Sequence, residues 1–131
     1  LTLSQALRSR FDWPGDTLLR LERLHKMDDT PRCYSVDVMP AVFVGGVIDE
    51  GSLDRPLKEI LSGGGFTPHY ADSLLTAVIA PARVCKEAAI FAGRPVVRSQ
   101  EFLYDRRGQV LAICLQYQDA STLRFRVRRK A

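Results

Sequence analysis

The sequence has few cysteines and histidines, and it has no apolar run near the about 20 residues that cross a bilayer. The cysteines, Cys33, Cys85 and Cys114, are widely spaced without a CxxC pair, which argues against a disulfide framework or a zinc site. Neither histidine has a cysteine within a few positions, so we expect no metal. The first 11 residues contain two arginines and lack the apolar core of a signal peptide, which argues against secretion. Together with the cysteine pattern, this indicates a cytoplasmic protein with reduced, buried thiols.

The sequence also lacks the short motifs that mark common catalytic sites. It contains no GxSxG, no P-loop, no GxGxxG and no HExxH. The three consecutive glycines at 63–65 follow a predicted helix, so they end that helix rather than cradle a phosphate at a helix start. We therefore expect neither an enzyme nor a cofactor.

The composition is that of one folded domain spanning residues 1–131. Hydrophobic residues make up 46% and charged residues 26% of the chain, which is typical of a globular protein rather than a disordered one. The net charge of +4 is too small to demand a nucleic-acid surface, but it suits a small anionic ligand.

Apolar periodicity predicts an α+β domain. Short connections between the strands favour a mainly antiparallel sheet of about six strands, with helices covering one face. Helices are predicted at 4–11, 52–63 and 81–91, and strands at 17–27, 32–39, within 66–79, and at 96–104, 110–117 and 123–128.

Arg23 and His25 are the most informative candidate binding residues, because both fall on the predicted inward face of the first strand. A buried guanidinium needs an anion, which a ligand carboxylate or phosphate would supply. The alternatives are an internal ion pair with Asp37 or Glu101, or an arginine that faces solvent.

Three further residues are candidates on weaker grounds. Ser52 and Asp54 begin the predicted central helix, whose free N–H groups and dipole favour an anion, although both residues can equally serve as simple caps. Tyr117 lies on a predicted strand and either lines a cavity or packs in the core.

Five segments together resemble a known family. They are LLRLERLH at 18–25, DDTP at 28–31 with Met39-Pro40, SLD at 52–54, EFLYDRRGQV at 101–110, and Tyr117 followed by LRF at 123–125. In order and spacing, over about residues 17–129, they are similar to the UTRA domain. That domain is the effector-binding module of the HutC subfamily of GntR-type transcription regulators.

The resemblance implies a chorismate-lyase-like α+β fold, a homodimer and a small-molecule effector. It also implies that a winged helix-turn-helix domain, absent from this chain, makes the DNA contacts, and that no membrane is involved. Arg23 and Ser52 match ligand-binding positions of the family, whereas His25, Ser35 and Asp54 replace an arginine, a glutamate and a tyrosine. These replacements favour a carboxylate, an amino acid or a less polar ligand over a phosphosugar.

The set of expected ligand-binding residues is therefore Arg23, His25, Ser35, Ser52, Asp54 and Tyr117. Two alternatives stay open beside a ligand sensor. The first is a dimerisation module that has lost its ligand, and the second is an enzyme related to chorismate lyase. For that enzyme, Glu101 is the available inner-strand acid, while Ala112 stands where a glutamate is expected.

Overall fold

The computed structural model describes residues 2–45, 50–87 and 91–130. Short 3₁₀ turns occur at Ala41–Phe43, Glu50–Asp54 and Ala120–Thr122. The regular elements are helices α1 (Leu3–Phe11), α2 (Leu57–Gly63) and α3 (Ala82–Glu87), and strands β1 (Leu18–Met27), β2 (Thr30–Pro40), β3 (Tyr70–Ile79), β4 (Pro95–Tyr104) and β5 (Val110–Asp119). No helix among these residues is long and apolar enough to cross a membrane.

Strands β1 and β2 form an antiparallel hairpin, as the sequence predicts. Asp28 and Asp29 make the connection, and both have positive φ angles, of 51° and 62°. Two left-handed residues are the signature of a two-residue turn whose twist matches the twist of the flanking strands. Aspartate tolerates this conformation better than most residues, which explains its occurrence at both positions.

Strand β5 lies in the middle of the sheet, whose order in the described residues is β1-β2-β5-β4-β3. All neighbours are antiparallel. The sheet therefore has five strands instead of about six, and residues 123–130 form no strand. A segment that follows β5 through a short turn cannot pair with β5, because β2 and β4 already occupy both sides of that strand.

The arginine-rich segment after β5 also corrects an expectation about packing. Alternation in the predicted strand at 123–128 would turn Phe125 and Val127 toward the core, but these side chains are 61% and 80% exposed. Because this segment lies outside the sheet, the alternation of apolar residues with arginine does not give it a buried face.

The helices lie over both faces of the sheet, whereas the sequence predicted helices on one face. Buried apolar residues of α2 pack with Leu21 and Met39 on the first face. Val84 of α3 packs with Tyr34 and Tyr117 on the opposite face. Of the three free cysteines, Cys33 and Cys114 are buried and Cys85 is half-buried.

Two helix starts differ from the sequence-based positions. Helix α1, predicted to begin at residue 4, begins at Leu3 and is capped by Thr2, whose hydroxyl accepts from the Gln5 backbone N–H. Helix α2 begins after Pro56 instead of at Ser52. A proline disfavours helical geometry in the residue before it, so residues 50–54 form a separate 3₁₀ turn.

Gly64 ends α2 where the helix meets the 3₁₀ turn at Ala41–Phe43. Its φ of −85° suits any residue, but a Cβ there would overlap the Phe43 carbonyl oxygen and lie 3.1 Å from the Val44 Cα. Neighbouring Gly65 has the opposite character, because its φ is +90° and a Cβ would meet nothing within 4 Å.

We expect Gly64→Ala to lower the unfolding free energy by about 2–3 kcal/mol, since the obstructing atoms are backbone and cannot rotate away. Gly65→Ala is the control and should cost only about 1 kcal/mol for its left-handed backbone. Urea unfolding at constant pH measures both. A smaller loss for Gly64→Ala than for Gly65→Ala would contradict the close approach.

Candidate functional site

A cavity of about 970 Å³ opens between the first face of the sheet and the chain that leads into α2. Its floor comes from β1, β2, β5 and β4, and one wall comes from residues 53–58. The ionisable side chains that line it are of both signs: Arg23, His25, Lys26, Asp37, Asp54, Arg55, Lys58, His69 and Glu101. Such a mixture is suited to a polar small molecule.

Arg23 connects the floor of the cavity to its wall. One terminal nitrogen lies 3.2 Å from Asp37 Oδ2, and the other donates to the Arg55 backbone carbonyl at 2.5 Å. The Arg23 and Asp37 side chains are 14% and 3% exposed, so their ion pair is shielded from water. This geometry is the internal pair that the sequence left open as an alternative.

The Arg23 guanidinium still has an unsatisfied donor. Its Nε is buried and has no hydrogen-bond partner among the described residues. A buried N–H without an acceptor is costly, and a ligand oxygen reaches this one only if the guanidinium moves.

Asp37 lies deep under the cavity, where charge is expensive. Burial raises the pKa of its carboxyl group, and this effect is opposed by the Cys114 thiol and by Arg23. Burial also raises the pKa of Cys114, and the Asp37 charge adds to that increase. Cys114 is therefore a protonated thiol that donates to Asp37 rather than a nucleophile.

His25 serves as a neutral hydrogen-bonding group. Its Nε2 lies 3.2 Å from the Oγ of Ser35, which is fully buried beneath it. Partial burial lowers the pKa of His25, and the Arg23 charge lowers it further, more than Asp37 raises it. At pH 7 the imidazole is thus uncharged, and the charged group beside it is Arg23.

The structure brings four of the six expected residues together. Arg23, His25 and Asp54 line the cavity, and Ser35 supports His25 from below. Ser52 belongs to the 3₁₀ turn Glu50–Asp54, but its side chain lies outside the described part of the structure. Because α2 begins at Leu57, the expected anion site at a helix start at 52–54 is not formed.

Tyr117 lies apart from these residues, on the opposite face of the sheet. It is almost fully buried under α3, and its hydroxyl accepts a hydrogen bond from Arg83 at 2.7 Å. On β5 the odd-numbered positions up to Tyr117 face away from Cys114, so parity along the strand places this side chain on the wrong side for the cavity.

Arg55, Lys58, Glu101 and Cys114 line the same cavity but were not among the expected binding residues. Strand parity alone assigns Glu101 and Cys114 to one face, once β4 and β5 are known to be neighbours. Arg55 and Lys58 carry no comparable sequence signal, because the sequence predicted them inside a continuous helix. Among the residues described, no group of three or more metal-binding side chains is found.

A family model described as the UTRA domain matches residues 1–124. No curated protein matches the chain. Several solved structures share its fold at low sequence identity. One is a GntR-family transcriptional regulator from Enterococcus faecalis V583, with 20% identity and a TM-score of 0.78, covering 98% of this chain and 94% of that chain.

Two structures of PhnF from Mycobacterium smegmatis are also similar, each at 16% identity with a TM-score of 0.83. The effector domain matches all of this chain, which covers 82% of that structure. In the other PhnF structure, the whole of this chain matches 59% of the polypeptide. At such identities the likeness shows the fold alone.

We expect Arg23→Met to lower the unfolding free energy by about 3 kcal/mol, because it leaves the Asp37 carboxylate buried without its cation. Arg20→Met is the matched control on the same strand. Arg20 is exposed, and within the described ranges its ion pair is with Glu22, so its loss should cost under about 1 kcal/mol.

A double-mutant cycle with Asp37→Asn tests the pairing itself. The combined variant should lose less stability than the sum of the two single variants, since it leaves no unpaired charge. Chemical unfolding at pH 7 provides all four values. Strict additivity would mean that the two groups do not interact.

Proposed function

The chain belongs to the UTRA domain family, and we propose that it is the effector-binding and dimerisation domain of a bacterial transcription regulator of the GntR/HutC type. A small metabolite with an anionic or carboxylate group would bind in the cavity over the sheet. The observation that carries this proposal is the Arg23 guanidinium on the cavity floor, with a buried donor that no described residue satisfies.

The size and charge of the cavity support a small-molecule effector. Its volume lies within the range of metabolite-binding pockets. Arg23 offers planar, charged donors of the kind that bind carboxylates and phosphates, with Lys58 and Arg55 on the opposite wall. His25, neutral at pH 7, can donate or accept a hydrogen bond beside them.

Arg23 also suggests how binding would be transmitted. It holds the Arg55 carbonyl, and so ties the segment before α2 to the sheet. A ligand oxygen that competes for this donor would favour a different position of the segment, and so would shift the population of domain conformations. We infer that DNA binding itself belongs to a winged helix-turn-helix domain outside this sequence, in a cytoplasmic protein.

A homodimer is the second part of the proposal, and β3 is the surface that favours it. This edge strand pairs only with β4 among the described residues, and it exposes Leu74, Leu75 and Ile79. Edge strands are normally protected by lysine, proline or bulges, yet β3 has a single charged residue, Asp72. A second copy pairing antiparallel along β3 would satisfy the free backbone N–H and C=O groups of this edge and bring apolar side chains of the two copies side by side.

The proposal has no catalytic step. Glu101, the acid that a chorismate-lyase-like reaction would use, accepts a hydrogen bond from Ser73 at 2.7 Å. At position 112, where a second acid would stand, a fully buried alanine packs into the core.

Thermal unfolding in the presence of anionic metabolites tests effector binding. A specific ligand at about 100 times its Kd should add about 2.7 kcal/mol to the unfolding free energy and raise Tm. Arg23→Gln and Lys58→Gln should each weaken binding by about tenfold, as expected for the loss of a charged hydrogen bond. Lys86→Gln, on the opposite face, is the control.

Light scattering after size exclusion tests the dimer. The wild-type chain should elute as a dimer, and Leu74→Lys with Ile79→Lys should give monomers, because lysine opposes edge pairing. Leu3→Lys changes an equally exposed leucine on α1 and should leave the dimer intact. A dimer that survives both β3 substitutions would place the interface elsewhere.

A further inference from the structure

One row of side chains crosses the cavity floor from strand to strand. The register aligns Leu21 with Asp37, Asp37 with Cys114, and Cys114 with Glu101. Glu101 in turn stands opposite Ser73 on β3. Aligned partners in an antiparallel sheet project to the same face, so Asp37 and Glu101 both lie on the cavity side, two strands apart.

The two carboxylates in this row have different electrostatic situations. Asp37 is paired with Arg23, so the positive charge of the floor is already compensated. Glu101 receives one hydrogen bond, from the Ser73 hydroxyl, and no described residue forms an ion pair with it. Glu101 is therefore an acidic side chain of the cavity floor that has no counter-charge among the described residues.

The cavity wall carries two cationic residues, Arg55 and Lys58, beside the acidic Asp54. Its backbone meets the floor at Arg23, whose guanidinium donates to the Arg55 carbonyl. The Glu101 charge contributes, after burial and Asp37, to the raised pKa of Cys114, which places it beside the middle of the floor. The cavity floor thus offers the Arg23 guanidinium, shared with Asp37, and the unpaired Glu101 carboxylate two strands away from Asp37.

We propose that Glu101 makes this cavity selective for a ligand that carries a protonated amine in addition to its anionic group. The inference rests on the proposed effector site and names the chemical class of its ligand. The backbones that carry Asp37 and Glu101 lie two strand spacings apart, a distance of about 10 Å. A molecule with several atoms between its acid and its amine matches this distance once the side chains reach inward.

The same carboxylate disfavours ligands of other charge types. A dicarboxylate or a phosphate without an amine would place negative charge or an uncharged group against Glu101. The carboxylate would then be desolvated without a counter-charge, which is unfavourable. A simple amine would satisfy Glu101 but leave the Arg23 Nε and the wall cations without an acceptor.

Thermal unfolding and calorimetry with the full chain test the selectivity. The probes are metabolites at millimolar concentration in four classes: acid with amine, acid only, amine only, and uncharged. The first class contains ω-amino acids such as 5-aminopentanoate, matched by pentanoate and by 5-hydroxypentanoate. We expect binding in the acid-with-amine class, with the matched compounds at least about tenfold weaker.

Glu101→Gln is the decisive variant, because glutamine keeps the hydrogen bond from Ser73 but loses the charge. It should reduce the preference for the amine to under about twofold while binding of the matched acids persists. Glu59→Gln is the control, since Glu59 is an exposed residue on α2 that does not line the cavity. It should leave the preference unchanged.

The outcomes separate this inference from the proposed function. If only amine-bearing acids bind, and Glu101→Gln removes the preference for the amine, the result supports both the effector site and the role of Glu101. Binding of acids alone, with no effect of Glu101→Gln, overturns the role of Glu101 and leaves an effector site in place. The absence of binding in every class overturns the effector site itself, and the inference with it.

Discussion

The central position of β5 is the constraint on which the rest of the structure depends. It joins the N-terminal hairpin, through β2, to the β3–β4 pair. Its pairing with β2 links residues more than 70 positions apart in the sequence, whereas its pairing with β4 links residues close in sequence. Only this arrangement places Asp37, Cys114 and Glu101 in one row on one face. Because both edges of β5 are occupied, the chain that follows has to leave the sheet.

The ion pair between Arg23 and Asp37 gives the cavity floor its stability and limits its chemistry. Two largely buried charges are tolerated because each neutralises the other, and Cys114 supplies Asp37 with a further donor. Arg23 is therefore not an unpaired cation on the cavity floor, although its position on the inward face of β1 is compatible with one. Any ligand anion has to share a guanidinium that is already engaged, which favours acceptors placed at its unsatisfied Nε.

Local patterns sufficed for the hairpin, for most strand positions and for the face on which Arg23 and His25 lie. They failed where the outcome depends on distant parts of the chain. Alternation in the final segment resembles a strand, but whether a sheet edge is free there depends on β2 and β4. Tyr117 was misplaced relative to the cavity because strand parity is informative only once the face of each neighbouring strand is known. The start of α2 differs from the prediction because Pro56 disfavours helical geometry in the residue before it, which overrides the capping preference of Ser52.

If the proposed effector places an anionic group at this floor, its binding also involves a proton, because of Asp37. A ligand oxygen that draws Arg23 away weakens the ion pair and leaves the carboxylate buried with less compensation. Since burial already raises the pKa of Asp37 against the influence of Arg23, losing that influence raises it further. Protonation of Asp37 then lowers the cost of displacing its partner. Under the proposed function, the buried acid would therefore make the arginine available to a ligand as well as hold it in place when the cavity is empty.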